Sequence, residues 1–211
     1  MTISGHIYGV VLNDKPELEK LASAFEAKPY AAPPQAPVVY MKPSTTIARG
    51  PIAMAASEAL VASSTLAILF ARDASRCSRS DALGTVGAMA LAIDISEPQP
   101  DYYRPAVSRL NRDGFLVLGE WGAPLADPAS LRIETEIDGE MAHGWSLDRL
   151  HRDPAQLIAD LSDFMTLRAG DMLLVGLPGD APIVRAGQSI MASAPETSLS
   201  VAQALFVEKQ S

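Results

Sequence analysis

Few residues of this chain stand in patterns that perform chemistry, and each has a plain structural reading beside the chemical one. The three histidines, His6, His143 and His151, show neither HxH nor HxxxH spacing, so no two of them are set to reach one metal from a shared strand or helix face. They read as edge or surface residues. Cys77, the sole cysteine, lies in the polar run Ser75-Arg76-Cys77-Ser78-Arg79 with no histidine beside it; it reads as a surface thiol rather than a nucleophile. One cysteine also excludes an internal disulfide framework and a cysteine-based zinc cage. Glu134-x-Glu136 would put two carboxylates on one strand face, where they could share a hard cation. Their face is opposite Ile133 and Ile137, so a solvated strand face is the stronger reading. Gly176-Leu177-Pro178-Gly179 is a turn and not a phosphate loop, and no GxSxG elbow occurs.

Any site must therefore be held by elements that the apolar pattern defines. The chain has 211 residues, 48% of them hydrophobic and 20% charged, with a mean hydropathy of +0.11. That is enough for one well-filled core, and the modest surface charge suits a face covered by another subunit. A net charge of −8 with no basic stripe argues against a nucleic-acid partner. The longest uncharged stretch, Ala59 to Ala71, is shorter than the ~20 residues of a membrane span. Residues 1–15 lack a basic start and a long apolar run. A soluble protein of a reducing cytoplasm is expected.

Ile7–Leu12, Val38–Met41, Phe115–Leu118, Met172–Gly176 and Leu199–Val207 read as strands. Leu60–Ala71 and Ala88–Ile95 are almost continuously apolar, as strands covered on both faces are, with short helical segments between them near Ser80–Leu83. Leu131, Ile133, Thr135 and Ile137 alternate with charged residues, and Asp138-Gly139 then turns a hairpin. Leu18, Leu21, Ala22 and Phe25 predict a helix over Pro16–Ala27, followed by a proline-rich arm to Pro37. Asp153-Pro154-Ala155-Gln156 caps a second helix, with Leu157, Ile158, Leu161 and Phe164 or Met165 inward and Gly170 as its stop. The reading is one β-dominated mixed domain over residues 1–211, with residues 1–37 as its N-terminal strand, helix and arm.

The string from Phe164 to Pro178, helix end, Gly170-Asp171, buried strand and Gly-x-Pro corner, resembles the fumarylacetoacetate hydrolase family. Further matches follow the same order: Tyr40-Met41-Lys42-Pro43, Asp94-Ile95-Ser96, Tyr102-Tyr103-Arg104-Pro105, Arg112-Asp113-Gly114-Phe115 and Asp138-Gly139-Glu140. Tyr-Arg-Pro followed by Arg-Asp-Gly is most similar to one branch of that family. Its members decarboxylate and isomerise a 2-oxo dicarboxylate from the 4-hydroxyphenylacetate (homoprotocatechuate) pathway, and are built from two similar halves. This chain resembles the N-terminal half as a separate subunit.

The resemblance implies a fold of packed sheets, or β-roll, with few short helices. It also implies a site in which Glu-x-Glu and a later Asp hold Mg²⁺ or Mn²⁺, with the substrate's 2-oxo acid chelating the metal. Here Ser63 and Thr65 stand at the two glutamate positions and only Asp94 remains. The family's lid histidine has no counterpart after Leu12-Asn13-Asp14-Lys15. Leu110 replaces a lysine, and Leu177 replaces the threonine of a "GTP" corner. No metal is therefore expected in this chain, with Mg²⁺ or Mn²⁺ in a metal-bearing partner of a homo- or heterodimer. Lys42, Tyr103, Arg104 and Arg112 are the candidates to grip a dicarboxylate, unless the arginines hold loops through internal acid pairs. A non-catalytic small-anion binding or scaffold protein of the same fold is the alternative.

Overall fold

The computed structural model describes residues 2–30, 32–99, 101–102, 107–199 and 201–208. In chain order the elements begin with β1 (Ile7–Val11), α1 (Lys15–Lys20), α2 (Ala22–Phe25), β2 (Val38–Lys42), β3 (Ile52–Met54) and β4 (Ala59–Phe70). Next come α3 (Arg79–Ala82), β5 (Val86–Ser96), α4 (Val107–Leu110), β6 (Leu116–Leu118), β7 (Arg132–Ile137) and β8 (Glu140–Ser146). The last are α5 (Pro154–Ser162), β9 (Met172–Leu174), β10 (Ile183–Arg185), β11 (Ser189–Ser193) and β12 (Ala202–Glu208). No helix among the described residues is long and apolar enough to cross a membrane.

Two sheets carry the fold. The larger runs β2-β1-β9-β4-β5-β6, with β10 also on β4, and the smaller runs β3-β12-β11-β7-β8. The apolar runs that predict doubly covered strands become the paired strands β4 and β5, whose residues from Leu66 to Phe70 and from Met89 to Ile95 are at most 2% exposed. One face of this sheet contributes Leu66, Ile68, Leu91, Ile93 and Leu173 to the main core, where Ile133, Trp145, Ile190 and Phe206 of the smaller sheet and Leu157, Ile158 and Leu161 of α5 meet them. The opposite face contributes Ile7, Ala67, Ala92, Leu116, Met172 and Leu174 to a second, smaller core.

That second core exists because the large sheet rolls up. Ile47, just beyond β2, bridges Leu116 of β6, and the Ala48 amide donates to the Leu116 carbonyl at 2.8 Å. The last strand is thus tied back to the segment following β2, the far edge of the same sheet. Sheets twist and coil with a fixed hand, and small residues at Gly9, Ala67 and Ala92 let this one close tightly. Side chains of β2 consequently reach those of β5.

The hairpin at Asp138-Gly139 forms with both residues at positive φ, 54° and 81°, as a two-residue type I′ turn requires. Asp153 caps α5, its carboxylate accepting from the Gln156 amide at 2.9 Å. Two expectations are corrected. The helix over Pro16–Ala27 breaks at Leu21 into α1 and α2, and only Phe25 of these two short helices is buried. α5 ends at Ser162 and not at Gly170; residues 163–171 instead form a turn that bridges Leu167 to Ala74. Of the two residues expected to close the inward stripe, Met165 packs against the main core and Phe164 is 63% exposed. β8 is the return strand of the hairpin expected at Asp138-Gly139, whereas β3, β10 and β11 carry no strand signal in the sequence.

Candidate functional site

Strand alternation places Ser63 and Thr65 of β4 on one face, and the register Ser63↔Asp94 sets Asp94 of β5 on that same face. All three are buried. The Thr65 hydroxyl donates to the Gly176 carbonyl at 2.5 Å, which commits its only proton to the corner after β9.

Each Asp94 oxygen has a charged or hydroxyl partner. Lys42 Nζ stands 3.0 Å from Oδ1, and the Tyr40 hydroxyl donates to Oδ2 at 2.5 Å. Tyr40 and Lys42 alternate along β2, so both point inward from the rolled sheet. The Tyr40 ring crosses over Gly9, where an added Cβ would come within 2.1 Å of Cζ, so glycine is what allows the approach. The remaining Lys42 protons go to the carbonyls of Leu110 at 2.6 Å and Phe115 at 3.1 Å. Burial pushes the Asp94 carboxyl above its ordinary range, with the Lys42 ammonium and the Tyr40 hydroxyl pulling against it. Burial and the Asp94 charge push the Tyr40 phenol well up.

Ser63 opens on a cavity of about 340 Å³. Glu17 and Lys20 of α1, Glu97, Asp101, Tyr102, Leu110 and the corner Leu177–Gly179 complete most of its wall. Apolar side chains of Val11, Leu21, Val61 and Ala181 fill the gaps between them. The Tyr102 hydroxyl donates to Glu17 Oε1 at 2.6 Å.

α1 is fixed over this cavity by polar contacts from its N-terminal end. Asn13 Nδ2 donates to the carbonyls of Val175 at 2.9 Å and Arg152 at 3.0 Å. Asp14, 1% exposed, accepts two bonds from Arg149, Nε at 3.0 Å and Nη2 at 2.6 Å, and one from the Gly179 amide at 3.0 Å. Arg149 continues to Asp180 at 3.0 Å, which His143 also meets at 3.0 Å.

The sequence-derived candidates fall in different places. Lys42 lines a separate depression of about 660 Å³ with Tyr40 and Asn111, and its donors are spent on Asp94, Leu110 and Phe115. Arg112 lines another of about 710 Å³. Its guanidinium pairs with Glu58 and with Glu97 at 3.2 Å, and lies 4.6 Å from the centre of the Phe115 ring. Tyr103 and Arg104 lie outside the described residues. Glu134 sits on the outer strand face, 3.4 Å from Arg132. Among the described residues no three His, Cys, Asp or Glu side chains gather as a metal-holding group.

Glu17 and Tyr102 are site residues that the sequence reading passed over as such. Glu17 reads as one more charge on an exposed helix, and only its nearness to Asn13 and Asp14, which fasten that helix, hints at a fixed position. Tyr102 opens the matched Tyr102-Tyr103-Arg104-Pro105 string, but nothing in the sequence brings it to Glu17.

Known proteins bear on this geometry in two ways. Residues 6–203 match the family described as fumarylacetoacetate (FAA) hydrolase, C-terminal. The chain is 37% identical over 190 residues to the 4-hydroxyphenylacetate degradation bifunctional isomerase/decarboxylase of Salmonella dublin, covering 89% of this chain and 44% of that protein. It thus spans less than half the length of that relative. Among solved structures, 5-carboxymethyl-2-hydroxymuconate delta-isomerase from Mycobacterium smegmatis superposes with a TM-score of 0.79 at 22% identity, over 100% of this chain and 81% of that one. Fumarylpyruvate hydrolase from Pseudomonas aeruginosa, in complex with Mn²⁺ and pyruvate, superposes with a TM-score of 0.80 at 18% identity, over 99% and 95%. With its two packed sheets, few short helices and a family match over nearly all its length, the chain belongs to the fumarylacetoacetate hydrolase family.

Proposed function

We propose that this chain is the N-terminal-type subunit of a decarboxylase/isomerase. Its substrate class would be a 2-oxo dicarboxylate formed by ring cleavage in 4-hydroxyphenylacetate breakdown. A metal-bearing subunit of the same fold would work beside it as its dimer partner. The 37% identity to a bifunctional isomerase/decarboxylase, over less than half that protein's length, supports both the activity class and the half-molecule role.

The observation that carries the reading is the state of Asp94. A divalent cation needs several hard, anionic oxygens. Ser63 and Thr65 are neutral, the Thr65 hydroxyl donates to the Gly176 carbonyl, and the two Asp94 oxygens meet Lys42 and Tyr40. The ammonium of Lys42 already supplies the positive charge that one carboxylate can balance. These residues do not fit Mg²⁺ or Mn²⁺, and no step is assigned to a metal in this chain.

Convergence supports the same conclusion. Ser63, Leu110 and Leu177, three positions where the family's expected groups are replaced, all line one cavity. Substrate contact would fall there. Lys42 and Arg112 serve as internal anchors under this reading, their charges already matched by Asp94, Glu58 and Glu97.

The test is reconstitution. The purified chain alone should release no CO₂ from the substrate, and mixing it with a metal-bearing homologue should give a stable complex with decarboxylase activity. Decarboxylation by the isolated chain would refute the reading. So would failure to form that complex, which would favour the non-catalytic anion-binding alternative.

A further inference from the structure

Val201, Leu205 and Val207 stand on one strip of surface and are 48%, 49% and 41% exposed. Strand alternation along β12 turns Ala202, Ala204 and Phe206 into the main core and leaves Gln203, Leu205 and Val207 on the outer face of the smaller sheet. The neighbouring strands widen that face with Ala53 of β3, opposite Val207, and Met191 of β11, opposite Gln203. Beside it a groove of about 300 Å³ runs between Leu205 and the residues Gly50, Pro51, Val117 and Leu118. The same sheet also shows what a wet face looks like: on β7 the outer positions are Arg132, Glu134 and Glu136. From β11 across to β3 the outer positions carry no charge until Glu208 ends β12. An uncharged apolar strip on an otherwise wet sheet marks a surface that another molecule covers.

The charges at the two ends of the strip point to the occupant. Arg49 and Glu208 are exposed and form no ion pair among the described residues. Asp113 lines the same depression as Arg49 without pairing with it. β3 and β12 run parallel with Ile52 opposite Phe206. Arg49, ahead of Ile52, therefore lies toward the start of β12, and Glu208, opposite Met54, lies at its end. With a positive group at one end and a negative group at the other, the strip complements itself when turned round.

We propose that this outer face of β12 is where two copies of this chain associate, about a two-fold axis crossing the middle of the strand. The contact goes beyond the reading above, whose partner is a metal-bearing homologue. Such an axis sets the two β12 strands antiparallel across the interface, each copy using the same patch. Leu205 packs beside the partner's Leu205, and the Val201 end of one copy faces the Val207 end of the other. Arg49 meets the partner's Glu208, and the symmetry makes that ion pair twice. The apolar centre is buried without desolvating a charge, while the charged pairs stay at the rim.

The experiment is analytical ultracentrifugation of the purified whole chain, with no homologue present. The wild type should sediment as a dimer at micromolar concentration. L205E places two carboxylates against each other and should raise the dimer Kd about 30-fold or more, with an unchanged circular dichroism spectrum. R49E sets like charges together at two symmetric places and should raise Kd about 5-fold; adding E208R to it should restore the wild-type value. M141E, on β8 at the charged side of the sheet, should leave Kd unaltered. A wild type that stays monomeric overturns the proposal, even if L205E then blocks a complex with a metal-bearing homologue, since the face would belong to that subunit instead. Dimers of L205E with wild-type Kd, dissociation by M141E as strong as by L205E, or an R49E/E208R chain no tighter than R49E would each overturn it as well. None of these outcomes touches the subunit reading, which stands or falls on complex formation with the homologue and on decarboxylation.

Discussion

Lys42 Nζ and Asp94 Oδ1 lie 3.0 Å apart with side chains 0% and 2% exposed. Fifty-two positions separate them in the chain, and the rolling of the large sheet joins them. An ion pair removed from water is nearly neutral against an apolar substitute, yet costly to break from one side, because an uncompensated charge is left behind. Lys42→Met should therefore lower unfolding stability by about 3–5 kcal/mol, and Lys42→Met with Asp94→Leu should recover much of that loss. Urea unfolding of the three proteins checks both statements.

Asp153 caps α5, and burial of its carboxylate is outweighed by the Gln156 amide and the Arg79 guanidinium, so its pKa is held below the ordinary value. A depressed carboxylate stabilises the fold above its unfolded pKa, and that contribution is lost as pH falls through the folded one. Asp153→Ala should cost about 1 kcal/mol at neutral pH. The gap from wild type should narrow as the solution is taken below the ordinary Asp range, which parallel unfolding curves at neutral and acid pH would show.

Arg149 binds the buried Asp14 with two hydrogen bonds at the start of α1. Removing it leaves Asp14 with the Gly179 amide as its remaining described donor. Arg149→Ala should cost about 2–3 kcal/mol. Amide hydrogen exchange should also quicken in α1 ahead of β4 and β5, since α1 has few buried contacts of its own.

The parts of the fold legible in sequence are those with strong local signals. β4 and β5 announce themselves as long apolar runs, α5 by its Asp-Pro-x-Gln cap, and the β7–β8 turn by Asp-Gly. β8 is marked only by the hairpin turn before it, because Glu140, Met141 and Ala142 are exposed and Trp145 alone is buried along it. The Pro16–Ala27 pattern looked like one helix because Leu18, Leu21 and Phe25 keep helical spacing. The chain breaks at Leu21, where too little apolar surface is buried to hold a longer helix. At the site, Ser63, Thr65 and Asp94 could be named from their places in order. What could not be read was that Lys42 and Tyr40 would occupy Asp94, or that Glu17 and Tyr102 would meet. Those pairings depend on closure of the sheet and on the Gly176–Gly179 corner, not on neighbours in sequence.

The most direct measurement is a titration of the purified chain with Mn²⁺, following the six-line electron paramagnetic resonance signal of the free ion. With Asp94 committed to Lys42 and Tyr40 and with hydroxyls at Ser63 and Thr65, the signal should grow in proportion to added Mn²⁺ from the first addition. Disappearance of one equivalent of Mn²⁺ per chain at micromolar concentration, returning to free signal in an Asp94→Asn variant, would contradict it.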